Sequence, residues 1–212
     1  MRRLSAFFVA VIVAFLSSAG TARAEDRNEA MQRTVKDYYD AEVRTSFLFV
    51  GYGAVTAGAG GAVLSEKTDF ARGLGWSSVA LGGATALGGA AYGIAAYVRG
   101  NYYESLALRD PARFKSEEAD RIAGTNARFW LYLGSELLET AAGIGLAAYG
   151  FAAHDDLVRG IGTGAAIQGI GLFVIDVPGA GRASRYQEEV RRFEPAVAID
   201  SHGFAASMRH SF

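Results

Sequence analysis

The sequence has no cysteine and only 3 prolines and 3 histidines in 212 residues. Without Cys there is no disulfide framework, thiol nucleophile, Cys-ligated zinc or lipidated N-terminal cysteine. The 21 basic and 22 acidic residues leave a formal net charge of −1. That lacks the basic surplus a nucleic-acid partner requires. Catalytic signatures are missing too. No Gly-rich turn follows a strand and opens a helix, no P-loop Lys-Ser/Thr occurs, and no Ser/His/Asp set carries an elbow motif. His154-Asp155-Asp156 are contiguous and lack the i, i+4 spacing of helical metal ligands, so they read as a polar turn. His202 and His210 carry no partner motif. No enzymatic activity, cofactor or metal is expected.

What is present begins with an export signal. Met1-Arg2-Arg3 is a positive n-region, Leu4 to Leu16 an uncharged apolar run, and Ala22-Arg23-Ala24 an A-x-A cleavage site. Together residues 1–24 have the form of a secretory signal peptide. Its removal takes three Arg and no acid, which leaves 18 basic against 22 acidic side chains. An exported, mildly acidic chain starting at Glu25 is expected.

Past the signal, apolar runs dominate. Thr45–Ser65 and Gly73–Val98 contain no charged residue and are long enough to cross a hydrocarbon layer of about 30 Å as helices. Phe129–Ala153 is a third run, interrupted by Glu136 and Glu139, and Gly160–Ile175 a shorter fourth. The expected fold is an all-α membrane four-helix bundle made of two Gly-rich helical hairpins, 45–98 and 129–177. An amphipathic lead-in helix over 25–44 precedes them, with Met31, Val35, Tyr38 and Glu42 on one face. A polar helical connector, 99–128, separates the hairpins. A helix within it starts at Asp110-Pro111, an N-cap followed by a proline at the first helical position, and runs to about Ile122, before Gly124. Pro178-Gly179 is expected to end the fourth span. The remainder, 178–212, reads as a short polar helix and a β-hairpin tail around Asp200-Ser201-His202.

The hairpins read as copies of one another. Asp69-Phe70-Ala71-Arg72-Gly73-Leu74-Gly75 matches Asp156-Leu157-Val158-Arg159-Gly160-Ile161-Gly162 at an offset of 87, which also sets Gly82 on Gly169. Phe49-Val50-Gly51 matches Tyr132-Leu133-Gly134, and Arg99 and Tyr103 match Arg182 and Tyr186, at an offset of 83. Of the 27 glycines, 23 lie in residues 45–98 and 129–181. A helical Gly costs about 0.8–1 kcal/mol against Ala, so close helix packing must justify it. Gly75, Gly82 and Gly89 recur at heptad intervals, and Gly93, Gly160, Gly162 and Gly169 continue the small-residue pattern. The spacing resembles the glycine-zipper pattern of membrane helices.

Three residues stand out inside the spans. Glu136 and Glu139 share a helix face, and two ionised carboxylates in a bilayer cost about 5–7 kcal/mol on insertion scales. The large apolar residues of that run return roughly 2–5 kcal/mol, so the segment needs a partner, a proton or water. Gln168, mid-way along the next span, is the expected hydrogen-bonding partner, fixing the register of the hairpin.

The expected function is that of a non-enzymatic integral envelope protein, a self-associating scaffold or interaction module. A small pore or transporter component using Glu136 and Glu139 is the alternative. Membrane lipid and a second copy, or another envelope protein, are the expected partners. Basic residues number fifteen on the side of 25–44, 99–128 and the tail, against Lys67, Arg72 and Arg159 on the other. An exported N-terminus makes this the reverse of the positive-inside bias. The inner membrane is the expected location, with the outer membrane or insertion from the periplasmic side as the alternative.

Overall fold

A computed structural model describes residues 2–195, with side chains from Asp26 onward. Its four helices are α1 (Arg2–Val63), α2 (Asp69–Arg109), α3 (Pro111–Ala153) and α4 (Asp156–Arg192), and no strand occurs among the described residues. The expected β-hairpin tail falls on residues outside that range. The described part of α1, all of α2 and all of α4 are long and apolar enough to cross a membrane. α3, with Ser135, Glu136, Glu139 and Thr140 in its apolar run, falls short by composition.

Turn chemistry is local and legible. Thr68 accepts from Ala71 N at 3.1 Å to open α2, and Asp110 accepts from Arg113 N at 3.1 Å with Pro111 beside it to open α3. His154 closes α3 in the left-handed conformation (φ 58°) and Asp155 caps α4 by accepting from Val158 N at 3.1 Å. His154 and Asp155 thus have backbone roles, and Asp156 pairs with Arg159 at 3.2 Å in the first turn of α4.

Two helix ends differ from expectation. α3 runs through Gly124 without a break, and α4 runs through Pro178 to Arg192. An interior proline removes one backbone hydrogen bond and costs about 3 kcal/mol. Downstream of it, however, Ala183, Tyr186 and Val190 are buried in a common core, and that burial outweighs the local penalty. Lead-in and connector segments are therefore continuations of the spans and not separate helices.

The bundle has two halves with opposite packing. In the half bearing the 26–44, 99–128 and 178–195 segments, a core of large side chains is fully enclosed. Val35, Phe114, Ile122 and Val190 are 0% exposed, and Tyr38 and Tyr186 stack at 4.0 Å. In the other half the large residues point outward: Leu87 is 77%, Trp130 73% and Phe151 71% exposed. These outward apolar faces run from Trp76 to Val98, Trp130 to Phe151 and Leu157 to Val177. Each covers 21–23 residues, about 30–33 Å from end to end at the helical rise, which is the thickness of a hydrocarbon core.

Inside that second half the helices meet on glycine. A Cβ added to Gly82 would lie 2.7 Å from Ala57 N and Gly53 O of α1, and Gly75 and Gly89 are as closely faced by Leu64 and Phe49. Gly93 lies against Ser46. Across the bundle, Gly73 meets Leu157 and Ile161, while Gly160 meets Phe70 and Leu74. Gly82 rests on Gly53 and Ala57 as Gly169 rests on Glu136 and Thr140; Gly60 rests on Gly75 and Val79 as Gly143 rests on Gly162 and Ala166. These paired contacts map onto each other at the offsets of 83 and 87 found in the sequence. Lipid tails supply no hydrophobic drive between helices, so close backbone approach through small residues takes its place.

Candidate functional site

Where the two halves join, the four helices surround a cavity of about 520 Å³. Its wall brings together four carboxylates from three helices: Glu42 of α1, Glu136 and Glu139 of α3, and Asp176 of α4. Glu42 is 2% and Glu136 6% exposed, and Glu139 is half-buried. The carboxyls of Glu136 and Asp176 face the same cavity close enough to interact electrostatically. Two carboxyls in that arrangement need a proton or a cation between them. Glu136 Oε2 is enclosed and has no hydrogen-bond partner.

Glu42 is held from two sides. The Tyr92 hydroxyl donates to its Oε2, and Arg182 Nη2 lies 3.6 Å from its Oε1 while donating to Thr45 Oγ1 at 2.5 Å. This contact joins α1 to α4. Lower on the same seam, the Tyr52 hydroxyl donates to Ile167 O at 2.8 Å and its ring covers Gly171.

Toward the head the cavity reaches a second polar group. Arg121 donates to both oxygens of Glu118, at 2.5 and 2.6 Å, and its guanidinium lies over the rings of Tyr39 (5.2 Å) and Tyr103 (5.6 Å). Tyr39 donates to Glu118 at 3.2 Å. Burial, and then the Glu118 carboxylate, push the Tyr39 hydroxyl well above the usual phenol range, so it remains a donor. With Glu118 0% exposed and paired by bidentate and aromatic contacts, this group is a closed structural unit.

Of the residues singled out in the sequence, Glu136 and Glu139 line the cavity. Gln168, at 1% exposed, instead donates to Thr85 Oγ1 at 2.6 Å. It ties α4 to α2, not to Glu139. Gly75, Gly82, Gly89, Gly93, Gly160, Gly162 and Gly169 all contact other helices of the same chain. Sequence reasoning missed Asp176, which looks like the polar boundary of a span. It also missed Glu42 as a site residue, although a carboxylate on the Met31–Val35–Tyr38 face was a signal that could have found it.

No known protein family, curated protein or solved structure matches this chain.

Proposed function

We propose that this chain is a non-enzymatic integral protein of the cell envelope that holds a positively charged group in the cavity, acting as a small transporter or pore component. The observation that carries this reading is Glu136 Oε2, an enclosed carboxylate oxygen without a partner, beside Asp176 in a cavity at the edge of the apolar belt. Carboxylates withdrawn from water persist when a proton or cation completes them, and those inside membrane proteins mark such paths. The matched contacts of the two hairpins support a duplicated hairpin as the scaffold. The second copy carries Glu136 where the first has Gly53, so the acid is an addition to a framework built for close packing.

The test is flux. Full-length protein in liposomes containing a trapped pH-sensitive dye should dissipate an imposed proton or potassium gradient. Glu136→Gln and Asp176→Asn should remove that flux at unchanged melting temperature. No flux above empty liposomes from the wild type sinks the proposal. Membrane and orientation are set by fractionation and single-cysteine labelling, which the absence of native Cys makes clean. An impermeant maleimide applied from outside should label Ser116→Cys, on the exposed head, and spare Lys67→Cys, in the opposite turn.

One observation favours a self-associating scaffold as a second reading. A Cβ at Gly51, Gly58, Gly134 or Gly145 meets nothing within 4 Å, so small-residue surfaces on α1 and α3 remain open to another helix. Loss of a cross-linked dimer in Gly145→Leu, with flux retained, would select this role for those surfaces.

A further inference from the structure

The two sides of the bundle are related by the offsets that relate the hairpins, yet at matched positions along the cavity they differ in what crosses the seam. On the α1/α4 side, Tyr52 covers Gly171 and Glu42 meets Arg182. At the matching positions on the α2/α3 side stand Ser135 for Tyr52, Ala84 for Gly171, Thr125 for Glu42 and Arg99 for Arg182. Ser135 turns its hydroxyl back to Tyr132 O at 2.8 Å, and Thr125 donates to Arg121 O at 3.1 Å. Neither spans the seam. Ser135, Thr125 and Arg99 all line the cavity, so the missing closures are its side wall. The same two helices carry the exposed Leu87, Ile94, Leu131 and Leu138 of the apolar belt.

Charge is divided along the same opening. Arg99 and Arg128 line the cavity on the head side, and neither forms an ion pair with another described residue. Glu136, Glu139 and Asp176 line it on the membrane side. A ligand complementary to this wall carries an anionic group toward the guanidiniums and an ammonium toward the carboxylates, with Phe49, Tyr92 and Tyr132 available as aromatic faces for the ammonium. The volume of about 520 Å³ greatly exceeds what a bare ion fills and lies within the range of organic-ligand sites.

From this asymmetry we infer that the α2/α3 seam is a lateral entrance through which the cavity takes the headgroup of a membrane lipid bearing both a phosphate and an ammonium. Phosphate sits at Arg99 and Arg128, the ammonium reaches Glu136 and Asp176, and the acyl chains stay on the apolar faces of α2 and α3. This rests on the cavity being a site for a positive group and adds its ligand class and its route of entry.

The experiment is native mass spectrometry of the full-length chain released from nanodiscs of equal phosphatidylethanolamine and phosphatidylglycerol. Wild type should retain one phosphatidylethanolamine per chain, with at least about tenfold preference over phosphatidylglycerol, a difference of about 1.4 kcal/mol. Ser135→Tyr together with Ala84→Gly, the pair that matches Tyr52 and Gly171 on the α1/α4 side, should bring retention down to the phosphatidylglycerol level, and so should Arg128→Gln at the mouth. Tyr52→Ser on the opposite seam should leave retention at least at the wild-type level. Equal retention of the two lipids overturns the inference, as does wild-type retention in a folded Ser135→Tyr/Ala84→Gly double variant. Displacement by millimolar glycerophosphoethanolamine would identify a soluble ligand and overturn the membrane source. Should liposome flux persist while no lipid preference appears, the cavity reading stands and the lipid entrance falls.

Discussion

Two neighbouring glycines on α2 should respond to the same added methyl group with opposite signs. At Gly82 a new Cβ lies 2.7 Å from two α1 backbone atoms, against about 3.5–4.0 Å for ordinary carbon contacts. The clash is with backbone, so no side-chain rotation relieves it, and α1 and α2 must separate by about 1 Å along the row Gly75, Gly82 and Gly89. Overpacking of this kind costs about 1–3 kcal/mol, offset by the 0.8–1 kcal/mol or so that Ala gains over Gly in a helix. Gly82→Ala should therefore destabilise by up to about 2 kcal/mol. At Gly83 nothing lies within 4 Å, so Gly83→Ala keeps only the helical gain of up to about 1 kcal/mol. At about 2–4 °C per kcal/mol for a chain of this size, thermal melts in detergent should place the two variants roughly 2–12 °C apart, on either side of wild type. Shifts in the same direction, or melts that coincide, would refute the assignment of the Gly75–Gly82–Gly89 row to a backbone contact.

N-terminal sequencing of the envelope form should begin at Glu25; a chain retaining Met1 would overturn the cleaved signal. Pro178 lies inside α4 without a backbone donor, so Pro178→Ala should raise stability by up to about 3 kcal/mol; a melt at or below wild type would show that the proline bend is required by the packing around it. Arg121→Leu leaves Glu118 buried without a cation and should cost about 3–5 kcal/mol, most of it recovered in the Arg121→Leu/Glu118→Leu double variant. A double variant no better than the single would place the cost in lost packing over Tyr39 and Tyr103.

Much of the helical layout was legible without coordinates, because its signals are local. The apolar runs, the Asp110-Pro111 start and the offsets of 83 and 87 depend on which residues stand near one another in the chain. The glycine row on α2 was visible for the same reason: a helix face that spends the propensity of three residues must be meeting something closely. Local signals failed where burial competed with them. Gly124 and Pro178 both read as helix ends, yet α3 and α4 continue, because Ile122, Ala183, Tyr186 and Val190 enter one core that outweighs a loss of about 1–3 kcal/mol at either residue.

Periodicity tells which side of a helix is buried, not which helix covers it. Gln168 was recognisable as a buried amide, but only the packing of α4 on α2 gave it Thr85 instead of Glu139. Glu42, Glu136 and Asp176 lie on three different helices far apart in the chain, so only the folded bundle could place them around one cavity. The difference between the two seams is likewise tertiary. Ser135 in place of Tyr52 is an ordinary difference between two similar segments until the bundle shows that Tyr52 bonds across to α4 while Ser135 bonds within its own helix. Sequence determined the helices and their glycine-bearing faces through short-range propensity and hydropathy; the meeting of charges and the gap between helices were decided by long-range contacts, whose energies no local window contains.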